Sequence, residues 1–217
     1  MVSNLGYLCS MDKKIQYILE RVTDLYQRYG IKSVTMDDVA HHLGISKKTL
    51  YEHFRNKEDL VEKITSLEHA RQKKHLSGIL RKKLNAIEEL LEVYKIINSM
   101  VRKYNPSMEY DIRKYYPALF NRIREIRQKE MYASAVQNLV KGMKEGLYRK
   151  ELNADVIARL HVSRFEYISE NNLFSMEEIT SKKVFHELFV YNIYGILNRK
   201  GREFFEKNFE KYRVSLT

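Results

Sequence analysis

Lys47, Lys48, Thr49, Tyr51 and His53 place two cations, a hydroxyl, a phenol and an imidazole within seven consecutive residues. Such groups donate and accept hydrogen bonds at base edges and at phosphates. Leu50 and Phe54, interleaved with them at i, i+4 spacing, point to the opposite side of a helix, so the polar set faces outward. Ser46 stands where it can cap that helix, and Gly44 where a preceding helix must end on a left-handed residue. Upstream, Thr35 and Asp38 fit a capping box, Asp37 and Asp38 suit the positive end of a helix dipole, and Val39, Ala40 and Leu43 form one buried face. The unit reads as a helix-turn-helix whose second helix suits insertion into a DNA major groove.

Other elements must hold that helix at a fixed tilt. Between Asp12 and Tyr29, Ile15, Ile18, Leu19, Val22, Leu25, Tyr26 and Tyr29 recur at three- and four-residue steps, which predicts a supporting helix ending at Gly30. Ile45 can plug the corner between the motif helices. Asn56 can cap a further helix through Leu60, Ile64 and Leu67 toward the late seventies, and Lys57 at its first turn can meet a phosphate together with the free amides there.

Competing chemistries find little support. His41 and His42 are adjacent and lack the i, i+4 geometry of a zinc pair, while His69, His75, His161 and His186 have no acidic or thiol company at ligand spacing. There is no glycine-rich phosphate loop, no nucleophile elbow and no His-Glu-x-x-His. The expectation is therefore a non-enzyme with no metal and no cofactor. The lone Cys9 cannot form an intramolecular disulfide, and residues 1–11 carry no helical period and no signal-peptide pattern, so they are read as a tail of a cytoplasmic protein. The apolar run Leu188 to Leu197 is about half of a membrane span.

The 217 residues, 44% of them hydrophobic, hold only two prolines and eight glycines, which points to an all-α chain with a real core. The net charge of +11 does not itself argue for DNA: residues 1–60 hold nine Lys/Arg against eight Asp/Glu, and residues 61–217 hold 30 against 20. Local sign does favour it, since Lys47, Lys48, Arg55 and Lys57 surround Glu52.

Downstream, Ile87, Leu90, Leu91, Tyr94, Ile97 and Val101 predict a helix ended by Asn105-Pro106-Ser107, and Pro117 marks a second break. Residues 118–147 read as one long helix, and Asn153 or Asp155 starts another. A helix capped by Ser175 and apolar on more than one side runs through Leu197, and a terminal helix spans Arg202 to Tyr212. A helix apolar on two sides is commonly covered by a symmetry mate. Tyr94, Tyr104, Tyr110, Tyr115, Tyr116, Phe120, Tyr132, Phe165, Tyr167 and Phe189 could line a cavity for a planar or amphipathic ligand, against the plainer account that each packs a core.

The run Gly30 to Leu60, reading GIKSVTMDDVAHHLGISKKTLYEHFRNKEDL, resembles the DNA-binding signature of the TetR/AcrR family of bacterial transcriptional regulators. A weaker likeness follows in GLYRKELNAD at 146–155 and in helix order. The resemblance implies three parts: a tail at 1–11, a three-helix DNA-binding domain at 12–58, and a larger helical ligand-binding and dimerisation domain at 59–217. It implies a homodimeric repressor, seated on a near-palindromic operator in double-stranded DNA and released by a small molecule as yet unidentified. By position, Lys47, Lys48, Tyr51 and His53 match groove-facing residues, and Thr35, Thr49 and Lys57 match phosphate contacts. The helices at about 154–171 and 178–198 look like the family's dimerising pair, with Leu160, Ile168, Leu188, Ile193 and Ile196 as interface candidates. The alternative from another class is an architectural or protein-interaction member that answers to no effector.

Overall fold

The computed structural model describes residues 12–80, 82–101, 106–170, 173–175, 178 and 181–212. These form ten α-helices: α1 Lys13–Tyr29, α2 Met36–Leu43, α3 Lys47–His53, α4 Lys57–Leu80, α5 Ala86–Val101, α6 Pro106–Tyr115, α7 Pro117–Lys144, α8 Ala154–Glu170, α9 Lys182–Ile196 and α10 Arg199–Phe209. Contacts divide them into two compact units, one holding residues 12–75 and 106–123, the other 76–101 and 124–212 as far as described.

In the first unit the expected caps form. The Asp12 carboxylate accepts from Lys14 N at 2.9 Å, and Gly30, at φ 79°, closes α1. Thr35 and Asp38 make a reciprocal capping box on α2, Gly44 leaves α2 in the left-handed region at φ 65°, and Ser46 Oγ accepts from Thr49 N at 3.0 Å. Leu19, Val22, Tyr26, Val39, Leu50 and Phe54 are fully buried around one centre, and Leu43 and Ile45 pack against it half-buried. This core does not close with three helices. Leu60, Val61, Ile64 and Leu67 of α4 enter it, as do Ile112 of α6 and Leu119 of α7. Tyr29, expected on the inner face of α1, is instead 62% exposed, because Tyr26 already ends the buried stripe one turn earlier.

Both prolines open helices rather than only ending them. Pro106 starts α6 and Pro117 starts α7, positions where the missing N–H breaks no intrahelical bond. The stretch between them, read from sequence only as lying between two breaks, is α6.

The second unit is centred on Ile87, Leu91, Leu139, Tyr148, Ala158, Ile193 and Phe205. A buried polar network ties α5 to α7. Lys141 Nζ donates to Glu89 Oε1 at 2.6 Å, Asn138 Nδ2 to Glu89 Oε2 at 3.1 Å, and Tyr148 OH to Asn138 Oδ1 at 2.9 Å. Tyr148 lies flat where Gly142 leaves room, since a Cβ on Gly142 would run into its ring. Asn153 caps α8 by accepting from Val156 N at 3.1 Å. Ser175 accepts from Glu178 N at 3.2 Å, yet α9 has its own cap in Ser181 and begins at Lys182, so the helix expected from Ser175 through Leu197 is not continuous. Asn198 caps the last helix, which therefore starts at Arg199 and not at Arg202.

Candidate nucleic-acid interface

The reading face of α3 is built on two buried anchors. Leu50 and Phe54 are fully buried in the first core, which fixes both the rotation of α3 and its tilt. On the outer side, Lys48 and Tyr51 are exposed, Tyr51 by 43%, and neither has a hydrogen-bond or ion-pair partner among the described residues. Their polar ends are available for contact without breaking an internal bond.

The other candidates are engaged. Lys47 Nζ lies 2.8 Å from Asp37 Oδ1 on α2, and the hydrogen bond to that carboxylate raises the lysine pKa. Thr49 is half-buried with its hydroxyl 2.8 Å from Ser46 Oγ. His53 is half-buried, its ring edge-on to Phe54 at 6.3 Å, and its carbonyl accepts from Lys63 Nζ at 2.9 Å. Thr35 spends its hydroxyl on the cap, donating to Asp38 Oδ2 at 2.7 Å and accepting from Asp38 N at 3.1 Å. The bond from the Thr35 hydroxyl, with a second from Thr35 N to Asp38 Oδ2 at 2.8 Å, holds the Asp38 carboxyl below the usual carboxylate range. Lys57 Nζ donates to the Lys32 carbonyl at 3.2 Å, and burial lowers its pKa against the pull of Asp111 and Asp38.

One acidic anchor sits behind the interface. Asp59 accepts from Arg55 N at 3.0 Å, Lys63 Nζ at 3.1 Å and Arg55 Nη2 at 3.2 Å. Burial pushes its pKa up, but the bonds from Arg55 and Lys63 outweigh it and leave the carboxyl below its ordinary value. Sequence periodicity does not show that Asp37 partners Lys47, because the two lie on different helices ten positions apart.

The described members of the aromatic set are divided between the two units. Tyr110 is exposed, with its OH accepting from Lys114 Nζ at 2.9 Å, while Tyr115 lies under Lys32 Nζ at 5.0 Å and Tyr116 and Phe120 pack against the first core. In the second unit the Tyr94 and Phe189 rings pack tilted against each other, with centroids 4.5 Å apart. Tyr132 donates to Asp155 Oδ1 at 2.5 Å and, with Gln128, Lys129, Arg159, Val162 and Ser163, lines an open depression of about 330 Å³. Tyr104 and the side chains of Phe165, Tyr167 and Ile168 lie outside the described residues.

Of the interface candidates, Leu160 is 55% exposed on α8, and Leu188 and Ile196 are half-buried. Ile193, at 1% exposure, lies in the chain's own core with Tyr148 and Leu197, unlike the exposed Leu160. Among the described residues no three His, Cys, Asp or Glu side chains gather as a metal site, and no helix is long and apolar enough to cross a membrane.

Known proteins carry the same pattern. The family described as bacterial regulatory proteins, tetR family, matches residues 18–64, which span most of α1 through the first turns of α4. The uncharacterised HTH-type transcriptional regulator YhgD of Bacillus subtilis (strain 168) is 41% identical over 66 residues, 30% of this chain and 34% of that protein. The match thus spans about a third of that relative's length. The HTH-type transcriptional repressor KstR2 of Mycolicibacterium smegmatis is 23% identical over 156 residues, covering 65% of this chain and 71% of the repressor. A transcriptional regulator from Cytophaga hutchinsonii shares the fold, with a TM-score of 0.71 at 19% identity over 86% of this chain and 100% of that one.

Proposed function

We propose that this chain, whose residues 18–64 match the tetR family of bacterial regulatory proteins, is a homodimeric repressor that reads a near-palindromic operator through α3 and leaves it when a small molecule binds the second unit. The observation that carries the DNA-reading part is the pairing of exposed Lys48 and Tyr51 with fully buried Leu50 on one seven-residue helix and fully buried Phe54 at its C-cap. Anchors on one side and unengaged polar groups on the other are what insertion into a major groove requires.

Lys48 and Tyr51 meet base edges, and Lys47 and His53 flank them. Thr35, Thr49 and Lys57 face phosphates, and Lys47 exchanges the Asp37 carboxylate for a phosphate as the duplex arrives. Two copies present α3 about one duplex turn apart, roughly 34–36 Å. Exposed Leu160 on α8 supports pairing through the second unit. A ligand there acts by changing the separation of the two reading helices.

Selection of duplexes from a random library by the purified protein tests this reading. Inverted half-sites are expected, with Tyr51→Ala lowering preference for the selected operator by about tenfold or more. Lys57→Ala is expected to weaken all duplexes alike and to flatten the salt dependence by about one unit per half-site. Equal affinity of the unsubstituted protein for selected and random duplex, or a stably monomeric protein at working concentration, overturns it.

A further inference from the structure

Asn98 is 1% exposed, and among the described residues neither its Nδ2 nor its Oδ1 has a hydrogen-bond partner. A carboxamide offers two donors and two acceptor sites, and burying them unmatched is costly. Buried polar side chains are matched in nearly all native structures, so a wholly unmatched amide needs a reason. Its place on α5 supplies one. Ile87, Leu91, Tyr94 and Asn98 recur at four-, three- and four-residue steps and form the inward stripe of the helix, the first three fully buried. Next along that stripe, the Tyr94 ring packs against Phe185 at 5.3 Å, Phe189 at 4.5 Å and Phe209 at 5.7 Å, and its OH lies 3.0 Å from His186 Nδ1. The buried carboxylate of the same helix, Glu89, is occupied by Lys141 and Asn138. Asn98 therefore ends an uncharged, aromatic-rich stripe with an unmatched polar group.

We propose that the Asn98 carboxamide is the polar recognition point of the effector site in the second unit, and that the effector is an uncharged molecule with an apolar body and one hydroxyl or carboxamide group. This inference rests on the ligand-responsive reading above. An ionised ligand would set a charge beside apolar Leu91 and the Tyr94 ring at a large desolvation cost, whereas a pure hydrocarbon would leave the amide unmatched. A hydroxyl or carboxamide both gives and takes a hydrogen bond, which matches both ends of Asn98.

The test compares the full chain with Asn98→Leu by thermal unfolding and by operator binding, with 1-decanol, decanamide or decanoate added. Without additive, Asn98→Leu is expected to melt about 3–6 °C higher, because the unmatched amide is gone. Decanol and decanamide are expected to raise the melting temperature of the unsubstituted protein and to bind Asn98→Leu about tenfold more weakly. Decanoate should do neither. If leucine prevents folding, Asn98→Ala, which adds no volume, gives the same comparison among additives. The proposal is overturned if Asn98→Leu melts lower, if the uncharged probes stabilise both proteins equally or neither, or if decanoate stabilises most. A compound that releases operator equally from both proteins overturns the role of Asn98 and leaves ligand-responsive repression standing. Operator affinity unmoved by a broad metabolite screen overturns both.

Discussion

Asp111 Oδ2, on α6, accepts a hydrogen bond at 2.9 Å from the backbone N–H of Lys32, a residue 79 positions earlier in the loop between α1 and α2. The carbonyl of the same Lys32 accepts from Lys57 Nζ at 3.2 Å. One loop residue thus connects a helix late in the chain to the first turn of α4, beside the proposed phosphate contact. Asp111→Ala is expected to lower stability by about 1 kcal/mol, a melting shift of about 2–4 °C, and to speed exchange of the Lys32 amide hydrogen. Asp111→Asn, whose Oδ1 still accepts, should keep the amide protected. Unchanged exchange in Asp111→Ala would remove the link.

The ion pair between Asp37 and Lys47 joins exposed side chains, 58% accessible at the lysine and 65% at the aspartate, so solvent screening leaves it little weight in stability. Its larger effect is to occupy a cation on the reading helix. Asp37→Asn should leave the melting temperature within a few degrees while tightening binding to random duplex. The slope of log affinity against log salt should steepen by up to about one unit per half-site. Affinity for random duplex identical to that of the unsubstituted protein would mean that Lys47 meets no phosphate.

Asp59 predicts an acid limb in the stability profile. Its folded pKa is below the unfolded value, so its contribution is fully present above the unfolded carboxylate range and is lost as pH falls through the folded pKa. Urea unfolding at a series of pH values should show stability declining below about pH 4, with a shallower decline in Asp59→Asn. That variant should also lose about 1–3 kcal/mol near neutral pH, since Arg55 and Lys63 keep their positions without the charge they bind. Parallel acid limbs in the two proteins would assign the decline to other carboxyls.

Gly142 separates two opposed expectations. In the interior of a helix, alanine in place of glycine ordinarily stabilises by about 1 kcal/mol. Here the added Cβ would collide with the buried Tyr148 ring, so Gly142→Ala is expected to destabilise by about 1–3 kcal/mol. Chemical denaturation gives the sign directly. A more stable variant would show that the ring has room to move.

Several features are legible in residue order because their causes lie within a few positions of one another. The Thr35–Asp38 box, the left-handed Gly44, the Ser46 and Asn56 caps, and the inward turn of Leu50 and Phe54 all follow from hydrogen bonds or helical spacing over three to five residues. That local logic extends to the all-α class and to the outward face of α3. What tertiary structure decided involves residues far apart or competition for one volume. Ile112 and Leu119 complete the first core, Asp37 holds Lys47, Tyr29 is left outside, Ile193 is drawn into its own chain's interior, and the described tyrosines divide between buried places such as Tyr94 and exposed ones such as Tyr110. Periodicity states which side of a helix is apolar, but only the packed chain determines which apolar side is covered, by what, and which polar groups stay free for another molecule.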